Sequence, residues 1–125
     1  MSKSISISES EWLVMKVIWT ESPKTLQDIL LNLDKSRWST TTIQTYLARL
    51  VKKGALTTER QGKGYLYYPA ISEHECQLAE GQSFLNRVYD GSLASMVSGF
   101  VKSKKLSGDE IAELKRLIEQ QEKKL

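Results

Sequence analysis

Trp38-Ser39-Thr40-Thr41-Thr42-Ile43-Gln44-Thr45-Tyr46-Leu47-Ala48-Arg49-Leu50-Val51-Lys52-Lys53-Gly54-Ala55-Leu56-Thr57-Thr58-Glu59-Arg60-Gln61-Gly62-Lys63-Gly64-Tyr65-Leu66-Tyr67-Tyr68-Pro69 is the stretch that decides the fold. At about 100° per residue, Ile43, Leu47, Leu50 and Val51, with Tyr46 at the margin, fall on one arc. The spacing predicts a helix over 39–53 that stops at Gly54, a residue able to take the left-handed conformation. Then the period changes. Residues 55–60 and 65–68 have strand composition and flank Gln61-Gly62-Lys63-Gly64, a hairpin turn, and Pro69 closes the second strand.

Upstream, Ser8 and Glu11 have the spacing of a capping box, in which the serine hydroxyl accepts from a backbone N–H and the glutamate reaches back. The helix it opens is expected over 8–20, with Trp12, Met15, Ile18 and Trp19 on one stripe, and Glu21-Ser22-Pro23 ends it. A short second helix is expected over 25–34, with Leu26, Ile29, Leu30 and Leu33 on one side. Only a few residues join the two, so they must pack together. Three helices followed by strand, turn and strand are the parts of a winged helix-turn-helix domain.

Downstream, the same box recurs at Ser72/Glu75 and Ser107/Glu110, and helices are expected over 72–89, 92–102 and 107–123. A segment of this length folding alone would bury only about 60% of its chain surface. Its apolar residues Leu85, Val88, Tyr89, Leu93, Met96, Val97, Phe100, Ile111, Leu114 and Ile118 therefore need another surface, most simply a second copy in a symmetric dimer. The expected fold class is mainly α with a small β-hairpin: a winged helix-turn-helix DNA-binding domain over 1–71, then a helical dimerisation domain over 72–125.

The chain has 125 residues, 40% hydrophobic and 26% charged, the size of one ordinary domain or two very small ones. An unbroken apolar run such as Trp12-Leu13-Val14-Met15 falls far short of the roughly 18 residues needed to cross a bilayer. The first ten residues also lack the apolar block of a secretory signal, which points to the cytoplasm without membrane insertion. A single cysteine, Cys76, excludes an intrachain disulfide, and with a single histidine, His74, neither a multi-cysteine zinc site nor a histidine triad can be assembled. No metal, no cofactor and no enzyme active site are expected.

Residues 1–72 carry ten Lys/Arg against six Asp/Glu, and residues 73–125 eight against nine, so the basicity belongs to the front. Within 34–64, Lys35, Arg37, Arg49, Lys52, Lys53, Arg60 and Lys63 stand against only Asp34 and Glu59. A polyanion is the natural partner. On the 39–53 helix, the arc opposite the core carries Thr41, Thr45, Ala48 and Lys52, flanked by Thr42, Gln44 and Arg49, with no acid among them. Threonine is a mediocre helix former, so stability alone would favour glutamate and lysine there. Short hydroxyls and an amide can donate to and accept from base edges, while cations suit phosphates. The face suits a helix entering the major groove of double-stranded DNA. Lys63, raised between two glycines with Arg60 behind it, is placed to reach a phosphate from the hairpin tip. Its Gly-x-Gly lacks the third glycine and the following helix of a dinucleotide fingerprint.

The segments Glu11-Trp12, Met15-Lys16-Val17-Ile18-Trp19, Trp38-Ser39-Thr40-Thr41-Thr42-Ile43-Gln44-Thr45, Leu50-Val51-Lys52-Lys53-Gly54 and Gly64-Tyr65-Leu66-Tyr67-Tyr68-Pro69 resemble the penicillinase-repressor family of bacterial regulators, the BlaI/MecI/CopY type. Leu85-Asn86-Arg87-Val88-Tyr89-Asp90-Gly91-Ser92, Phe100-Val101 and Leu106-Ser107-Gly108-Asp109-Glu110-Ile111 resemble its dimerisation arm, so the similarity covers nearly the whole chain. The resemblance implies a homodimer that binds a palindromic operator through the winged helix and represses a resistance operon. It also implies a membrane-bound sensor protease as a partner that cuts the repressor.

By residue match, Thr41, Thr42, Gln44 and Thr45 take the base-reading positions, although some members have a lysine where Thr41 stands. With Ser39, Thr40, Arg49, Lys52, Arg60 and Lys63 they make up the expected DNA-binding set. The antibiotic-responsive branch is cut between an asparagine and a phenylalanine; the matching bond here is Gly99-Phe100, and Gly99 departs from that pattern. The copper-responsive branch carries a cysteine-rich C-terminal tail, which Glu122-Lys123-Lys124-Leu125 does not match. The rival reading is a winged helix used as a protein-interaction module without sequence-specific DNA binding, and a flat salt dependence of duplex binding would favour it.

Overall fold

The computed structural model describes residues 5–34 and 37–125. The expected cation Lys35 lies outside the described residues. Two compact units divide the chain, Met1–Gly81 and Gln82–Leu125.

In the first unit, helix α1 (Glu9–Thr20) opens on Ser8, whose hydroxyl accepts from the Glu11 backbone N–H while the Glu11 carboxylate accepts from that of Ser8. Strand β1 (Lys24–Thr25) follows, and then helix α2 (Leu26–Leu31), which opens on a second capping box formed by Thr25 and Asp28. Helix α3 (Thr40–Lys53) is capped by Ser39 and ends at Gly54, whose φ of +87° is the left-handed cap. Strands β2 (Leu56–Gln61) and β3 (Gly64–Pro69) form the hairpin, with Gln61 opposite Gly64 and only Gly62 and Lys63 in the loop. Gly62 has φ +59° and Lys63 has no positive φ, the pattern of a type II′ turn, which needs glycine at its first position.

The expected hairpin is present, and β1 adds a third strand to it, giving an antiparallel sheet in the order β1-β3-β2. Lys24 lies opposite Tyr67 and Thr25 opposite Leu66. The physical reason is economy of backbone hydrogen bonds: two residues pair with β3 in the register that also lets Thr25 cap α2. The second helix is accordingly shorter than the expected 25–34, and Asn32 ends it by donating its side-chain amide to the Asp28 carbonyl at 2.8 Å.

One core joins these elements. Val14, Met15 and Ile18 of α1, Ile29 of α2, Ile43, Leu47 and Leu50 of α3, and Ala55 and Leu56 are buried together, with Ile7 and Cys76 at its edge. Trp12 and Trp19, two turns apart on α1, meet edge to face at 5.3 Å, and the Trp19 indole N–H donates to the Ile71 carbonyl at 3.0 Å. Val51 departs from its expected core position; it lies at the edge of the apolar arc and is exposed.

Helix α4 (Glu73–Tyr89) begins in the first unit, with the Ser72 hydroxyl accepting from the Glu75 N–H, Glu73 paired with Lys16, and Cys76 in the core. The second unit holds the rest of α4, α5 (Leu93–Lys102) and α6 (Gly108–Lys124), which starts with the Ser107/Glu110 box. Among the described residues of 82–125, none is buried.

Candidate nucleic-acid interface

The core packing of Ile43, Leu47 and Leu50 fixes which way α3 faces. Its opposite side presents Thr41, Gln44, Thr45, Ala48, Arg49 and Lys52 to solvent, with Thr40 exposed at its start and Thr42 half-buried. Helix α3 contains no acidic residue, so nothing on this face repels a phosphate. The expected polar residues are not equivalent, however. Ser39 Oγ accepts from the Thr42 N–H at 3.1 Å and lies 2.8 Å from Thr42 Oγ1, so this pair serves the cap. The Thr45 hydroxyl donates to the Thr41 carbonyl at 3.0 Å. Among the described residues, the Thr41 hydroxyl and the Gln44 amide make no hydrogen bond.

The wing adds cations. Arg60 lies opposite Tyr65 in the ladder, and Lys63 stands at the tip, both exposed. Among the described residues, Arg49, Lys52, Arg60 and Lys63 form no ion pair. The acid of the wing, Glu59, accepts a hydrogen bond from Tyr68 at 3.0 Å. That bond is the chief cause holding the Tyr68 phenol above its ordinary pKa, with the Glu59 charge a lesser one. The structure thus places Arg49 and Lys52 on α3 and Arg60 and Lys63 on the wing.

Two supports of this face escape a sequence reading. Lys53, in the expected cation set, is not free: its Nζ lies 2.5 Å from Oε1 of Glu11, a residue only 1% exposed. Burial pushes the Glu11 carboxyl up, but hydrogen bonds from Lys53 and the Ser8 N–H, with the Lys53 charge, outweigh it and hold the carboxyl below its usual value. The capping box made Glu11 visible in sequence, whereas its burial depends on a partner 42 residues away. At the other end of α3, Trp38 meets Tyr46 edge to face at 5.6 Å and carries the Arg37 guanidinium 5.4 Å over its ring. This fixes the entry to the helix and sets Arg37 beside its N-terminus.

In the second unit, Leu85, Tyr89, Met96, Val97 and Ile111 are half-buried, while Val88, Leu93, Phe100, Leu114 and Ile118 are exposed. Phe84, Val101 and Leu117 are exposed with them. Gly99 and Phe100 are both exposed within α5, and a Cβ added at Gly99 meets nothing within 4 Å. Burial, followed by the charges of Glu75 and Glu80, raises the Cys76 thiol pKa, the opposite of what a reactive thiolate needs.

A family model described as Penicillinase repressor matches residues 7–120. The chain belongs to the penicillinase repressor family. It is 45% identical over 121 residues to a penicillinase repressor of Bacillus licheniformis, covering 96% of this chain and 94% of that one. It is 35% identical over 118 residues to the methicillin resistance regulatory protein MecI of Mammaliicoccus sciuri, covering 94% and 96%. The solution structure of the Bacillus licheniformis BlaI monomeric form in complex with the blaP half-operator matches at 43% identity and a TM-score of 0.51, over 60% of this chain and 93% of that one. The winged-helix fold is therefore shown, and this penicillinase repressor family member belongs with DNA-binding regulators rather than enzymes. Among the described residues, no helix is long and apolar enough to cross a membrane.

Proposed function

We propose that this chain is a cytoplasmic, homodimeric transcriptional repressor that binds a palindromic DNA operator. Residues 1–71 carry the DNA contacts and residues 72–125 the dimerisation arm. The observation that carries the reading is the outer face of α3, free of acid and continuous in chemistry with Arg49, Lys52, Arg60 and Lys63, which form no ion pair among the described residues. Thr41 and Gln44 reach base edges in the major groove, and the cations hold the flanking phosphates. Ser39, Thr40 and Thr42 set the start of the helix against the backbone.

The arm supports dimerisation because its apolar side chains have no buried home within the unit. Burial against a second copy removes that apolar area from water. Release follows from a cut in the arm at Gly99–Phe100 by a membrane-bound sensor protease, since separating the arm from the DNA-binding heads forfeits an avidity gain of roughly 10² to 10⁴.

The test is the salt dependence of duplex binding. A protein neutralising Z phosphates shows a slope near −0.9Z in log K against log salt, with tighter binding to its own upstream region than to random duplex. A flat slope, or equal affinity for random duplex, contradicts the reading.

A further inference from the structure

We infer that Thr45 recognises a thymine through its methyl group, not through its hydroxyl. This assignment rests on the repressor reading and deepens it. A threonine hydroxyl has one proton to give, and that of Thr45 is committed to the Thr41 carbonyl at 3.0 Å, one helical turn back. Thr45 therefore meets a base with a methyl group and an oxygen lone pair but no donor. The acceptors of guanine, adenine and thymine find no donor on Thr45, so the choice rests on what its lone pair and its methyl can meet: the amino group of adenine or cytosine, or the 5-methyl group of thymine.

Ala48 decides between them. It lies three residues on, exposed on the same outer face, and offers only a second methyl. Together the two residues offer two methyl groups side by side, a contact that matches the thymine 5-methyl group, which adenine and cytosine lack. The neighbouring hydroxyls differ: Thr42 is tied to the cap, and the Thr41 hydroxyl and Gln44 amide keep their donors for hydrogen-bonded readout.

The experiment uses the full chain and the duplex it protects in its own upstream region, with thymines replaced singly by deoxyuridine, which removes only the methyl. Wild type should lose about fourfold in affinity at one thymine in each half-site, the equivalent of one buried methyl. Thr45→Val, which keeps the methyl and the branched shape, should bind within about twofold of wild type and keep that sensitivity. Thr45→Ser, which keeps the hydroxyl, should bind about fourfold more weakly and ignore the deoxyuridine. A Thr45→Val loss as large as that of Thr45→Ser, or a wild type indifferent to every deoxyuridine, overturns the assignment while leaving the repressor reading intact. Equal affinity of wild type for random duplex removes both.

Discussion

Glu11 on α1 and Lys53 in the last turn of α3 form an ion pair across the core, with the carboxylate almost wholly out of water and the lysine about one third exposed. The same carboxylate closes the α1 capping box, so one oxygen fastens the start of α1 to the end of the helix that faces DNA.

Lys53→Met should cost about 2 kcal/mol at neutral pH, less than the 3–5 of a fully buried broken pair because Lys53 keeps part of its side chain in water. In wild type the Glu11 pKa is depressed, so its contribution is present above the ordinary glutamate range and is lost as pH falls through the lower folded value. The difference between wild type and variant should therefore shrink toward acid. Denaturant midpoints at several pH values, with unchanged slope, check this. A difference independent of pH would contradict it.

Much of this frame was legible in sequence because its signals are local. Ser8/Glu11, the arc Ile43-Leu47-Leu50 and Gly62-Lys63 each announce an element within a few residues. Lys24–Thr25 was missed because a two-residue strand exists only through its partner in β3. The Glu11–Lys53 pair was missed for the same reason, and the division of labour among Thr41, Thr42 and Thr45 depends on rotamers that composition does not encode.

Gly54→Ala should cost about 1 kcal/mol, because a side chain at φ +87° pays the left-handed penalty even though a Cβ there meets nothing within 4 Å. Gly64→Ala, with no positive φ, should cost distinctly less. Thermal unfolding of both variants checks the contrast, and equal losses would contradict it.

Arg49→Ala and Lys63→Ala should each weaken binding to all duplexes and reduce the salt slope by about 1, whereas Gln44→Ala should erode discrimination between operator and random sequence with little change in slope. Titrations at several salt concentrations separate the two behaviours. Identical effects of all three would undo the assignment of roles.

Val88→Asp places a charge at an exposed apolar position of the arm, so it should leave helix content intact while halving the sedimenting mass. Operator affinity should fall by roughly 10² or more as two heads become one. An unchanged mass would remove the dimer from the account.

Cutting at Gly99–Phe100 should have the same consequence as Val88→Asp. A chain cleaved there in vitro through an engineered protease site should keep half-operator binding and lose tight binding to the full site. Full-site affinity that survives the cut would exclude release at this bond.

Nuclease footprinting of the protein's own upstream region at modest ionic strength tests the central claim most directly. The account predicts two equally protected half-sites related by two-fold symmetry, with centres about one helical turn or a multiple of it apart. An unprotected region, or a single protected half-site at saturating protein, would contradict it.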